Sequence, residues 1–215
     1  MQVSLSKLIP GPLKDRMLQR DSDVWNSDLS FASTERLKIK APSGTGKTTL
    51  AHMLYKLRED YEGSINYGQR DLRSFTPGNL AKLRQTEISI IFQDMRLFAN
   101  LTARENIELK RVLQTPQYES SVIDEMAERL QISHILNRRA GQCSYGEQQR
   151  IAIIRALVQP FEWLIMDEPF SHLDQANIRK AAALIAEECD KRKAGFLLTD
   201  LDDDDHFDYS KQLNL

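Results

Sequence analysis

Eight residues, Ala41-Pro42-Ser43-Gly44-Thr45-Gly46-Lys47-Thr48, follow the spacing G-x-x-x-x-G-K-[ST] at every fixed position but the first. In such a loop successive backbone N–H groups turn inward, and the N-terminus of the next helix backs them, so phosphate oxygens are cradled. Gly44 and Gly46 allow close backbone approach, Lys47 brings a point charge to the terminal phosphates, and the Thr48 hydroxyl is placed for Mg2+, with Thr49 beside it in the same cradle. Ala41 departs from the pattern, and its methyl is tolerable only at negative φ. About 120 positions on, Trp163-Leu164-Ile165-Met166-Asp167-Glu168 reads as a buried strand ending in two carboxylates. There Asp167 can hold Mg2+ through water, and Glu168 can orient an attacking water. Each segment alone has an ordinary reading, a glycine turn or a strand meeting solvent. Together they point to binding and hydrolysis of a nucleoside triphosphate.

Such residues need strands that end at one edge of a sheet. Val3 to Ile9 alternates loosely, Leu29 to Phe31 is brief, and Leu37 to Lys40 alternates cleanly into the glycine loop. A helix is expected from about Thr48 to Arg58. Thr76-Pro77 reads as a cap with proline at the first helical position, opening a helix to about Arg84. Ile88 to Phe92 is strand-like, and Thr102-Ala103-Arg104-Glu105 is a capping box. Val122, Met126 and Leu130 share one helical face. A buried helix over Ile151 to Val158, the strand at Trp163, a helix over about 177–191 and a strand at Phe196 to Thr199 complete the pattern. Alternating strands and helices imply an α/β fold with a parallel sheet.

The remaining chemistry carries a resemblance. Cys143-Ser144-Tyr145-Gly146-Glu147-Gln148-Gln149-Arg150 looks like the signature motif of ATP-binding cassette (ABC) ATPases. It precedes Asp167-Glu168-Pro169, which resembles that family's Walker B motif. Gln93 resembles its Q-loop glutamine, and Ser171-His172-Leu173-Asp174 its D-loop. "LAKLR" and "IIFQDMRLFANLTARENI" are similar to the lipoprotein-release, macrolide-export and cell-division branch. The resemblance implies a single P-loop NTPase domain over 1–215. Its parts would be a RecA-like core with an N-terminal antiparallel β layer (1–96 and 147–215) and an inserted helical subdomain (97–146). It also implies ATP and Mg2+ as ligands: Thr48, Gln93 and Asp167 at the metal, Lys47, Gln93 and Glu168 in hydrolysis, and Ser144, Tyr145, Gly146 and Glu147 on the ATP of a second copy in a head-to-tail homodimer. Physically, Ser144 and Gly146 stand where a helix begins, so a hydroxyl, free N–H groups and the positive dipole end face one way. Cys143 fits the small apolar position before the cap.

Two departures from the family pattern follow. No Phe, Tyr or Trp occurs in residues 1–24 to stack on adenine, which leaves Met17 or Leu18 for that place, with Trp25 too near Lys47. After the last core strand, Phe196-Leu197-Leu198-Thr199-Asp200 carries Asp200 where the family has the switch histidine. An imidazole can donate to the terminal phosphate, whereas an ionised carboxylate only accepts and repels. His206 and the acidic run Asp202 to Asp205 read as exposed loop.

Composition bounds the rest. The chain has 215 residues, 29 Lys plus Arg against 31 Asp plus Glu, and 41% hydrophobic content, which is a globular domain and excludes a bulk nucleic-acid binder. Cys143 and Cys189 match no metal-ligand spacing, which fits a reduced, cytoplasmic setting. No signal peptide and no apolar run of about 20 residues is present. The expectation is an ATPase subunit powering a separate transmembrane permease from the inner face of the membrane. The rival is an ATP-binding regulator with little turnover, because of Asp200.

Overall fold

The computed structural model describes residues 1–14, 21–201 and 203–215. Strands β1 (Val3–Pro10), β2 (Asp28–Phe31), β4 (Tyr61–Tyr67) and β5 (Arg70–Asp71) form an antiparallel sheet in the order β2-β1-β4-β5. Strands β3 (Arg36–Lys40), β6 (Ile88–Ile91), β7 (Trp163–Asp167), β8 (Gly195–Asp200) and β9 (Lys211–Asn214) form a parallel sheet in the order β6-β7-β8-β3-β9. Every residue of β6 and β7 is buried, as expected of parallel strands covered on both faces.

Six helices accompany the strands among the described residues: α1 (Lys47–Leu54), α2 (Pro77–Thr86), α3 (Ala103–Val112), α4 (Ser121–Arg129), α5 (Tyr145–Leu157) and α6 (Gln175–Arg192). The period-2 alternation of the parallel strands feeds two cores. Leu37, Ile39, Ile165 and Leu197 face α1 and the antiparallel sheet, while Leu164, Met166, Phe196 and Leu198 face the layer built on α3 to α6. The architecture is a parallel sheet with helices on it and an antiparallel β layer beside it, the α/β arrangement that the strand and helix pattern implies.

Several boundaries differ from expectation. The helix after the glycine loop stops at Leu54, because Lys56 takes a left-handed turn at φ 54°. The buried helix at Ile151 and the helix start at Ser144 are one element, α5, whose capping box joins Ser144 and Glu147. It runs across residue 146, so the helical segment and the sheet share it. Strands β4, β5 and β9 were not anticipated. In β4, Gly63 at φ +82° sits beside an irregularity of β1, where an added Cβ would stand 2.3 Å from the carbonyl oxygens of both Ser6 and Lys7.

Register sets the site. Across β3 and β8, Lys40 pairs with Asp200; across β7 and β8, Asp167 pairs with Thr199. The glycine loop, both carboxylates and the switch position therefore leave neighbouring strands at the same, carboxyl-terminal edge, where ligands bind in open α/β sheets.

Candidate nucleotide site

The loop after β3 is closed by its own side chains. Gly44 (φ 79°) and Gly46 (φ 105°) occupy conformations that side chains rarely adopt. Ala41, fully buried, is not among the non-glycine residues with positive φ, so its methyl is accommodated as the sequence required. The Thr45 hydroxyl donates to the Pro42 carbonyl at 2.7 Å. Beneath it, the buried indole N–H of Trp25 donates to the Thr45 carbonyl at 3.4 Å. Trp25 therefore props the loop instead of offering a free face. Gly46 caps α1 without a side-chain bond, leaving first-turn N–H groups open.

A cavity of about 450 Å3 lies over this loop, lined by Ser43, Gly44, Gly46, Lys47, Thr48, Thr49, Gln93 and Glu168. Lys47 Nζ donates to the carbonyls of Ala41 (2.8 Å) and Pro42 (3.2 Å) and stands 3.2 Å from Glu168 Oε1. Gln93 Nε2 donates to Glu168 Oε2 at 2.8 Å, and the Thr48 hydroxyl donates to Gln93 Oε1 at 3.3 Å. Three segments distant in sequence are thus linked through one chain of contacts. Glu168 takes φ 45°, a conformation uncommon for a residue with a side chain, and its N–H donates to the Thr199 carbonyl at 3.0 Å.

Asp167 is 1% exposed. Its Oδ1 accepts from the Thr199 hydroxyl at 2.9 Å, while its Oδ2 is buried with no partner. A cavity of about 250 Å3 adjoins it, lined also by Thr48, His52, Gln93 and Asp94. An unpartnered buried carboxylate oxygen is costly, and a hydrated Mg2+ near Thr48 fits it, since Mg2+ keeps waters and uses few protein carboxylates. Burial and the nearby Arg96 guanidinium hold the His52 imidazole below its usual value.

The signature residues stand apart from this cavity. Ser144 caps α5: its Oγ accepts from the Glu147 N–H at 3.3 Å, and Glu147 Oε2 accepts from the Ser144 N–H at 2.7 Å. The latter bond holds the Glu147 carboxyl below its ordinary range. Tyr145, 68% exposed, stacks on His172 with ring centroids 5.4 Å apart. Gly146 lies so near the His172 carbonyl that a Cβ would meet it at 3.0 Å. Cys143 is buried, and burial raises its thiol pKa.

At the switch position, Asp200 is half-buried and does not line the phosphate cavity. Its Oδ1 accepts from the Leu201 N–H at 2.7 Å, and its carbonyl accepts from the Ala41 N–H at 3.0 Å. Burial pushes its carboxyl pKa upward. His206 packs edge-on against Phe170 instead of standing at the site. The acidic run is only partly solvated, because Asp203 pairs with Lys40 and Asp204 with Lys38, while Asp205 is exposed. Met17, Leu18 and Asp202 lie outside the described residues. Trp25 and Thr199 were not picked out by motif, and only the fold shows what they touch.

Comparison with known proteins agrees with this geometry. The family profile described as "ABC transporter" matches residues 24–171. An uncharacterized ABC transporter ATP-binding protein of Bacillus subtilis is 34% identical over 80% of this chain and 67% of its own length. A thiamine import ATP-binding protein of Cereibacter sphaeroides is 32% identical over 89% of this chain and 81% of its own. A lipoprotein-releasing system ATP-binding protein of Chlorobium luteolum is 34% identical over 80% and 76%. Among solved structures, a dimeric ATP-binding cassette in a post-hydrolysis state, bound to ADP and Pi, superposes with a TM-score of 0.77 at 24% identity, covering 93% of this chain and 88% of that one. The sequence matches and the fold agree: the chain belongs to the ABC transporter family, as an ATP-binding domain.

Proposed function

We propose that this chain hydrolyses ATP as one of two identical cassettes and so drives a separate membrane-spanning permease. The carrying observation is the chain of contacts from Lys47 through Glu168 and Gln93 to Thr48, beside the unpartnered Asp167 Oδ2. When triphosphate enters, Lys47 exchanges its carbonyl and Glu168 partners for phosphate oxygens. Glu168, released from the lysine, can then accept a proton from water held by Gln93. Thr48 and Asp167 would hold Mg2+, whose charge neutralises the phosphate oxygens. Ser144, Tyr145, Gly146 and Glu147 lie outside this cavity and would complete the nucleotide site of a second copy; residues 97–146 serve as the helical subdomain that carries them.

The partner reading rests on a groove and on names. Phe98, Leu109 and Leu113 are exposed around a cavity of about 190 Å3 also lined by Arg96, Lys110 and Arg155. Contiguous exposed apolar surface marks an interaction site, and here it adjoins the segment leaving Gln93. The relatives of this chain include ATP-binding proteins of a lipoprotein-releasing system and of thiamine import. No helix among the described residues is long and apolar enough to cross a membrane, so the membrane contact is assigned to the partner, on the cytoplasmic face.

Phosphate release with Mg2+ and ATP is the test. Glu168→Gln should lower turnover roughly 10²–10⁴-fold and trap an ATP-bound dimer in light scattering, while Lys47→Ala should weaken ATP binding. Wild type that binds ATP but releases no phosphate, alone or with its membrane fraction, would instead favour the regulator reading.

A further inference from the structure

Lys38 is a charged residue in the middle of a core strand, with no exposed side-chain surface. A buried charge without compensation is costly, and here the compensation comes from the loop that follows the switch position. Lys38 Nζ is paired with Asp204 Oδ2 and stands 5.5 Å from the centre of the Tyr209 ring. The other oxygen of Asp204 accepts from the Tyr209 hydroxyl at 2.6 Å and from the His206 N–H at 3.0 Å. Two residues further along the strand, Lys40 is paired with Asp203. Two lysines of β3 thus hold the loop after β8 against the strand that leads into the phosphate-binding loop. Asp200, the last residue of β8, stands at the root of that loop, within reach of the charges of Lys38, Asp204 and Glu168. Its own carboxylate is turned onto the Leu201 N–H and lies outside the phosphate cavity.

We propose that Lys38 is a positioning residue for nucleotide binding: the Lys38–Asp204–Tyr209 clasp keeps the Asp200 carboxylate parked beside the cavity, off the terminal phosphate. The clasp answers a problem created by Asp200 itself. A carboxylate at the carboxyl-terminal edge of β8, free to swing toward the triphosphate, would oppose the negative charge that Lys47 and the loop amides attract. Fixing the loop by a buried ion pair allows an aspartate to stand where it would otherwise repel the ligand. Because a buried pair can often be replaced by apolar residues without loss of stability, the clasp is explained better by position than by stability.

The inference rests on ATP binding alone and not on hydrolysis or on a permease. Affinity for Mg·ATP is measured on the full chain by titration calorimetry for wild type, Lys38→Met with Asp204→Leu, Asp200→Asn, and the triple variant, with thermal unfolding followed in each. Opening the clasp should weaken Mg·ATP about tenfold through the like charge it frees, with the melting temperature little changed. Asp200→Asn should restore the affinity in the open background, yet change it less than twofold in wild type. Lys38→Arg with Asp204 retained should keep wild-type affinity. Loss of affinity that Asp200→Asn does not rescue, or no loss in the stably folded double variant, would overturn the clasp while leaving the nucleotide site standing. Wild type that fails to bind Mg·ATP would overturn the nucleotide assignment and the clasp together. If the double variant does not fold, the Tyr209→Phe variant takes its place: it removes one of the bonds to Asp204, and a smaller loss that Asp200→Asn rescues carries the same meaning, with no rescuable loss counting against the proposal.

Discussion

Asp200 offers no proton to a phosphate while it is ionised, and phosphoryl transfer depends on stabilising charge spread over the terminal oxygens. Asp200→His places a donor at the same strand end. Turnover should rise by up to roughly 10²-fold, the scale of one good donor at such a site, with ATP affinity nearly unchanged. A His variant no faster than wild type would show that a side chain at position 200 does not reach the terminal phosphate. Much at this scale was legible: the types and spacing of Lys47, Thr48, Gln93, Asp167 and Glu168 bring all five to one strand edge. Thr199 was not legible as a partner of Asp167, because nothing in its neighbourhood says that the β7–β8 register sets the two side by side. Nor was the left-handed backbone of Glu168, which depends on the turn that follows β7.

Elements with strong local signals are legible in the sequence, whereas β4, β5 and β9, which only their pairing reveals, are not. Thr102 and Glu105 form the expected capping box at the start of α3, and Thr76 caps α2 with Pro77 behind it. Strand β4 went unread because Glu62, Gly63, Ser64 and Asn66 interrupt its buried Tyr61, Ile65 and Tyr67; only the antiparallel partner β1 makes it a strand. Strand β9 is a polar, largely exposed edge, a composition that suits an edge strand and hides it from hydrophobic patterning. Gly63 is the most constrained point of the antiparallel layer. Gly63→Ala combines a left-handed φ with a Cβ driven into two carbonyl oxygens. It should destabilise the protein by about 2 kcal/mol or more, read as a lowered midpoint in urea; an unchanged midpoint would mean that β1 relaxes away from β4.

On the scale of the whole molecule, uncompensated positive charge collects in the groove beside α3. Among the described residues Lys110 donates only to the Arg84 carbonyl, and Arg155 to the carbonyls of Met95 and Arg96. Burial, reinforced by Arg155 and Arg84, brings the Lys110 pKa down to about 8. Because the folded value lies below the unfolded one, near 10.4, the unfolded chain holds the extra proton between them. Stability should therefore rise as pH climbs through that window, by at most about 3 kcal/mol, and the rise should disappear in Lys110→Met; urea midpoints at several alkaline pH values decide it. An acidic side chain docked in the groove would erase the same slope by stabilising the ammonium. The prop under the glycine loop has a consequence of another kind. The chain holds two tryptophans: Trp25 touches the carbonyl of Thr45, while Trp163 opens β7 at the end away from Asp167, bonded to the Met1 carbonyl. Ultraviolet emission from the native chain thus carries one reporter in contact with the phosphate cradle and one remote reference, and replacing Trp163 by phenylalanine would leave the loop's own lamp burning alone.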